Sequence, residues 1–175
     1  QRIALMQGGK AYCRHLAGCK TPAQESDARH MPPNFYYDQE DFLRALQRGK
    51  SWSWSALRPE AVTGFSIGNP LNLINVIAVY ATISRELGLP LRFPGSALAY
   101  HVLSQNTDAD LLARAQVWAA TAPACANEAF NITNGDCFRY EHVWPRFAEF
   151  FGMKLAPPLK LPLQTYMADK GPVWD

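Results

Sequence analysis

The sequence predicts an α/β layered fold with at least partly parallel strands, and three observations carry that expectation. Short apolar runs of strand character alternate with longer segments of helical character along the chain. Glycines stand where the helical segments should stop, at Gly49, Gly88 and Gly152. The 175 residues are 48% hydrophobic and 18% charged, which is enough apolar material for one packed core.

Residues 3–7 form an apolar run closed by Gly8-Gly9, the pattern of a buried strand ending in a turn. A polar loop rich in Pro, Gly and charge follows over residues 10–33. Asn34 is placed to cap a helix that begins near Phe35, carries Phe35, Gln39, Phe42 and Leu46 along one face, and ends at Gly49. Residues 52–57 alternate aromatic or apolar side chains with Ser and then meet Arg58-Pro59, so a strand should run into a loop there. A long helix covers residues 71–87, ahead of Gly88. Residues 91–93 make a short strand, and Thr107 or Asp108 can cap a helix running through Ala120. Residues 129–132 read as a strand, Asn134-Gly135-Asp136 as a turn, and residues 141–151 as a helix that stops at Gly152.

Composition narrows the function. Formal net charge is +2, with Lys and Arg scattered singly rather than in a stripe interleaved with aromatics, so no nucleic-acid partner is expected. The longest apolar stretch, residues 71–83, is interrupted by Asn72, Asn75 and Thr82 and is too short and polar to span a bilayer. No membrane partner is expected, and the protein should be soluble. The four cysteines, Cys13, Cys19, Cys125 and Cys137, have no C-x-x-C spacing and read as reduced thiols of a cytoplasmic protein. A disulfide or metal pair of Cys13 with Cys19 is the weaker alternative, and no metal site is expected. The Asn131-Ile132-Thr133 sequon falls inside an expected buried strand and is set aside. The first residues start directly in an apolar run and the last stop without a terminating element, so both ends are expected to be cuts in a longer protein. No G-x-G-x-x-G turn is present, since Gly8-Gly9 lacks both the spacing and the following helix.

Three features could carry chemistry. Lys10 lies just past the C-terminal end of an expected buried strand, where open α/β sheets place their ligands; a solvated loop lysine would occupy the same position. Tyr36 and Tyr37 are adjacent at a helix start and point about 100° apart, so one of them should face a cleft. A phenol with a free pKa of about 10 becomes a useful acid near neutrality only beside positive charge, which Lys10 could supply, whereas aromatic residues at a helix start also serve as packing. The third feature is residues 57–65, where Pro59 fixes φ and Gly64 permits a turn, so that backbone groups could be presented to a flat polar ring; an ordinary strand-to-helix connection would read the same.

Residues 3–12, 34–41, 57–65 and 130–136 are together similar to the progesterone 5β-reductase/iridoid synthase-like branch of the extended short-chain dehydrogenases, the superfamily that also holds the NAD-dependent epimerase/dehydratase-like proteins. Asn34-Phe35-Tyr36-Tyr37 followed by Glu40-Asp41 is the most specific part, and the resemblance extends to the tail at Asp169-Lys170-Gly171-Pro172-Val173-Trp174. The resemblance implies that residues 1–175 are the C-terminal catalytic and substrate part of one such domain. That part would be a portion of a Rossmann-type parallel sheet with helices on both faces plus a small substrate-binding portion, without the N-terminal dinucleotide-binding half.

What the resemblance implies for chemistry follows residue by residue. Tyr36 would be the catalytic acid and Lys10 the residue that holds the cofactor ribose and keeps the tyrosine acidic. Tyr36, Pro59, Ala61 and Val62 would border NADP(H), and Cys13, Leu16, Leu71 and Asn72 are candidates for the wall around a small-molecule substrate. The reaction would be NADPH-dependent reduction of a carbonyl-conjugated C=C or of a simple carbonyl. A nucleotide-sugar epimerase or dehydratase, and a non-catalytic NADP-binding regulator, are the alternatives. The Tyr166-x-x-x-Lys170 pair matches the commoner dehydrogenase spacing but sits in a Pro-rich tail and is read as coincidence. The loop between Lys10 and Tyr36 is short and carries Cys13, Arg14, His15, Leu16 and Cys19, which departs from steroid-reducing members. The isolated chain should be inactive, and surfaces meant for a missing half favour a homo-oligomer.

Overall fold

The structure is a computed structural model that describes residues 1–16, 20–31, 33–69 and 72–174. In chain order the elements are β1 (Arg2–Met6), α1 (Phe35–Gln47), β2 (Ser53–Pro59), β3 (Ala61–Thr63), α2 (Leu73–Glu86), β4 (Leu91–Arg92) and α3 (Ala97–His101). They continue with β5 (Asn106–Asp108), α4 (Ala109–Thr121), β6 (Glu128–Ile132), α5 (Tyr140–Phe150), β7 (Leu155–Ala156), α6 (Leu163–Tyr166) and α7 (Gly171–Trp174). Short 3₁₀ turns lie at Gly9–Tyr12 and Pro123–Cys125. The chain divides into two compact units, Gln1–Gly64 with Asn106–Asn134, and Phe65–Gln105 with Gly135–Asp175.

The first unit is built on a three-stranded parallel sheet in the order β1-β2-β6, with Met6 opposite Leu57 and Pro59 opposite Ile132 at the carboxyl ends. The central strand is buried on both faces, as a parallel sheet covered on two sides requires. Trp54 and Ala56 pack with Leu43 of α1, while Leu57 on the other face packs with Ala119 of α4 and with Cys125. Helices on both faces of a parallel sheet match the expected fold class. Arg2 locks α4 to the sheet by donating to the Ala119 and Ala122 carbonyls at 2.5 and 2.6 Å, a cation satisfying the open end of a helix.

Several expectations are corrected. The strand at residues 3–7 was expected to be buried, but β1 is an edge of its sheet, with Ile3 and Met6 exposed. On α1 the face of Phe35, Phe42 and Leu46 is exposed, and Tyr37, Glu40 and Leu43 are buried instead. The apolar pattern pointed to the wrong face because the buried one carries an acid, Glu40, which is paired. Residues 58–63 are not a loop. β2 continues through Arg58 to Pro59, its last residue, which stands opposite Ile132 of β6. β3 then pairs in parallel with β5, and Glu60 N–H donates to the buried Thr107 hydroxyl at 2.9 Å, which donates in turn to the Ile132 carbonyl at 2.7 Å. Gly64 is needed for close approach, because a Cβ there would lie 2.7 Å from that of Ala109.

The second unit packs α2, α5 and the parallel pair β4–β7 around Ile77, Tyr80, Ala81, Leu91, Phe93, Trp144 and Ala148. Asn72 caps α2 by accepting from Ile74 N–H, and Gly88 takes the positive φ of 66° that follows the helix. Leu71, the expected helix start, lies outside the described residues, as does Cys19. Tyr166 joins this core's periphery. Lys170 Nζ sits 5.0 Å from the Tyr166 ring centroid, an ammonium over the face of the ring. An apolar cavity of about 390 Å³, bordered by Tyr80, Phe93, Tyr140 and Trp144, lies in this unit and has no charged side chain in its lining.

Candidate active site

A cleft of about 460 Å³ opens in the first unit at the carboxyl ends of β1 and β2, where parallel sheets hold their ligands. It is bordered by the Gly8-Gly9 turn, Lys10, Tyr36, and the Pro59–Val62 segment. Five residues expected at a site, Lys10, Tyr36, Pro59, Ala61 and Val62, therefore meet around one opening although they come from three separate stretches of sequence. The other candidates do not. Cys13 is a buried free thiol in the left-handed conformation at φ 55°, and Leu16 is exposed; neither borders the cleft. Asn72 belongs to the second unit, where its side chain caps α2 and donates to the Ser66 hydroxyl at 3.0 Å.

One side chain ties Lys10 to Tyr36. Asn34 caps α1 by accepting from Tyr36 N–H at 3.1 Å, and its Nδ2 donates to the Lys10 carbonyl at 2.7 Å. The adjacent tyrosines then divide their roles. Tyr37 is buried, and its hydroxyl donates to the Ala11 carbonyl at 2.6 Å and accepts from His30 N–H at 3.3 Å. Tyr36 is half-buried, and among the described residues its hydroxyl has no hydrogen-bond partner. That hydroxyl stands over Gly8: a Cβ there would lie 3.6 Å from it and 3.3 Å from the Pro59 carbonyl oxygen. Lys10 is exposed, and among the described residues no carboxylate lies within ion-pair distance of its ammonium. The neighbouring cation, Arg14, is by contrast paired with Glu60.

Behind the cleft lies a buried polar cluster that the sequence reading missed. Arg58 donates to Gln7 Oε1 at 2.8 Å, to Glu40 Oε2 at 3.0 Å and to the Tyr12 hydroxyl at 3.0 Å. Burial pushes the Glu40 carboxyl up, but hydrogen bonds and charge from Arg44 and Arg58 outweigh it and hold the group below its ordinary value. Burial also raises the Tyr12 hydroxyl, against the lowering influence of Arg58. The available signal was Glu40, an acid spaced between Tyr37 and Leu43 on what proves to be the buried face. Arg58 is thus directed into the protein, with its guanidinium engaged by Gln7, Glu40 and Tyr12.

Comparison with known proteins gives a consistent kinship. A family model described as the PRISE-like Rossmann-fold domain matches residues 1–175. The (S)-8-oxocitronellyl enol synthase ISY1 of Nepeta racemosa is 41% identical over 184 residues, covering 100% of this chain and 47% of that protein. The short chain dehydrogenase gsfE of Penicillium aethiopicum is also 41% identical, over 88% of this chain and 42% of its own length. The chain thus spans about half the length of the curated relatives it matches. Among solved structures, the UDP-glucose 4-epimerase of Thermotoga maritima superposes with a TM-score of 0.67 at 22% identity, over 92% of this chain and 50% of that one. At that identity the likeness concerns the fold.

Proposed function

The chain belongs to the PRISE-like Rossmann-fold family, and from that membership we propose that it is the catalytic half of a reductase. The substrate would be a carbonyl-conjugated alkene or a simple carbonyl compound, and the hydride donor NADPH. The observation that carries this reading is the contrast between the tyrosines: Tyr37 has its hydroxyl engaged, while among the described residues nothing partners the Tyr36 hydroxyl or pairs with Lys10 at the cleft they share.

The residues present suit the nicotinamide end of such a cofactor. Lys10 offers three donors to ribose hydroxyls, and the buried Pro59 with the exposed Ala61 and Val62 gives a wall of small apolar groups and backbone for a flat ring. Nothing in the sequence offers a glycine-rich turn for the phosphates. Together with the half-length match to relatives, this supports a nucleotide-binding half supplied outside these 175 residues.

A reduced nicotinamide held there would supply hydride. When hydride reaches the β-carbon of an enone, negative charge develops on the carbonyl oxygen. The Tyr36 hydroxyl, with no competing acceptor among the described residues, would donate to that oxygen and stabilise it as the charge grows. The Lys10 ammonium, exposed at the same cleft, would hold the ribose hydroxyls of such a cofactor. Transfer of the Tyr36 proton to the oxygen would give an enol, the class of product named in the enol synthase relatives, and a Tyr36 phenolate that regains its proton from water in the open cleft.

The test is NADPH oxidation by the full-length protein against a panel of small enones and ketones, comparing wild type with Tyr36→Phe and Lys10→Met. Tyr36→Phe should lower turnover by about 10²–10³-fold with cofactor affinity little changed, and Lys10→Met should lower both. Wild-type rates in both variants would overturn the reading. Crippling by Tyr166→Phe instead would move the chemistry to the Tyr166/Lys170 pair.

A further inference from the structure

The buried cluster behind the cleft is directional. Arginine has donors only, so Gln7 must turn its amide oxygen toward Arg58, where it accepts at 2.8 Å. The Gln7 NH₂ group is thereby forced to the opposite side, where it donates to the Tyr36 backbone carbonyl at 3.0 Å and to Glu40 Oε2 at 3.4 Å. Tyr12, accepting from Arg58, passes its own proton on to Asn131 Oδ1 at 2.6 Å, so the chain of bonds is anchored on β6. Arg58 grips Glu40 directly as well, at 3.0 Å. Tyr36 and Glu40 are one turn apart on α1, so the cluster holds that helix at two points on one face, at the level of the tyrosine.

We propose that Gln7, oriented by Arg58, is a positioning residue for Tyr36: its amide fixes the rotation of the first turn of α1 and so keeps the Tyr36 hydroxyl over Gly8. This inference rests on the reading of Tyr36 as the acid. Gln7 is 4% exposed and its amide faces Tyr36 through that residue's backbone carbonyl, so it acts through the helix. A rotation of α1 by roughly 10° carries a tyrosine hydroxyl on the order of 1 Å, and a displacement of that size can cost about 10²-fold in rate.

Two substitutions separate positioning from mere support. Gln7→Glu retains an acceptor for Arg58 but has no hydrogen to give the Tyr36 carbonyl. Gln7→Met keeps the length of the side chain and removes its three hydrogen bonds, and it serves where Gln7→Glu does not fold. Each is assayed in the full-length protein beside Tyr36→Phe, and the position of Tyr36 is followed by fluorine NMR in the 3-fluorotyrosine-labelled chain, with its signal assigned by its loss in Tyr36→Phe. The expected result is a fall in kcat of about 10²-fold with KM little changed and a displaced Tyr36 signal in the Gln7 variants. If Tyr36→Phe abolishes turnover while a folded Gln7→Glu or Gln7→Met keeps wild-type kcat and an unmoved signal, positioning by Gln7 is overturned and the acid role of Tyr36 stands. If Tyr36→Phe itself keeps full turnover, the acid role is overturned and the positioning role falls with it.

Discussion

Replacing Tyr37 by Phe removes a hydroxyl that donates to the Ala11 carbonyl at 2.6 Å and accepts from His30 N–H at 3.3 Å. His30 is exposed, so water can take over its N–H at little cost. Ala11 is 5% exposed, and its carbonyl loses a short bond in a place that water does not readily reach. Stranding a buried acceptor costs about 1–3 kcal/mol, and Tyr37→Phe should destabilise the chain by that amount. The Arg29 guanidinium, 4.9 Å from the centroid of the Tyr37 ring, keeps its aromatic partner in the variant and adds little to the loss. Tyr36→Phe removes no hydrogen bond within the described residues and should change stability by no more than about 0.5 kcal/mol. Urea unfolding of the wild type and the two variants measures both values, as a shift of midpoint at constant m. Equal destabilisation by the two substitutions, or a neutral Tyr37→Phe, would refute the division of roles between the tyrosines and with it the main support for Tyr36 as the acid.

The remaining predictions address the rest of the site. Gly8→Ala places a methyl 3.3 Å from the Pro59 carbonyl oxygen and 3.6 Å from the Tyr36 hydroxyl. Gly8 has the extended φ of 171°, which alanine adopts freely, but its 3.3 Å contact is with backbone, so the Pro59 carbonyl must give by a few tenths of an ångström; the melting temperature should fall, and turnover should drop about tenfold as the Pro59 segment bordering the cleft shifts. Glu40→Gln leaves Arg58 without its buried counter-charge (the paired side chains are 4% and 9% exposed) and should cost on the order of 3 kcal/mol at neutral pH in urea titrations. Because the Glu40 pKa is lowered by folding, its contribution is complete above the unfolded value of about 4.3 and is lost as pH falls through the lower folded value. The gap between wild type and Glu40→Gln should therefore stay constant from neutral pH to about 5 and narrow only in stronger acid; a gap that closes near neutral pH would contradict the pairing. Finally, these 175 residues alone should bind NADPH weakly by calorimetry, for want of a phosphate-cradling turn, and micromolar affinity would show that the cofactor is held differently.

By itself the sequence determined the alternation of strands and helices, because each element writes its own local pattern. Asn34 announces the start of α1, Asp108 that of α4, and Gly88 the turn beyond α2. The same locality brought Lys10 and Tyr36 into view, each beside a strand end or helix start, and the family resemblance joined them. The three-residue strands β3 and β5 were illegible, since their pairing joins Ala61–Thr63 to a partner far along the chain and three residues carry no periodicity. Only the tertiary structure decided which tyrosine hydroxyl is engaged, because Tyr37 donates to Ala11 across the loop and not to any neighbour in sequence. It also decided which face of α1 is buried. An apolar pattern reports where hydrocarbon leaves water. Whether an acid such as Glu40 can be buried instead depends on Arg58 and Arg44 being there to meet it, and Arg58, on the neighbouring strand, is brought to it by the packing of α1 on the sheet.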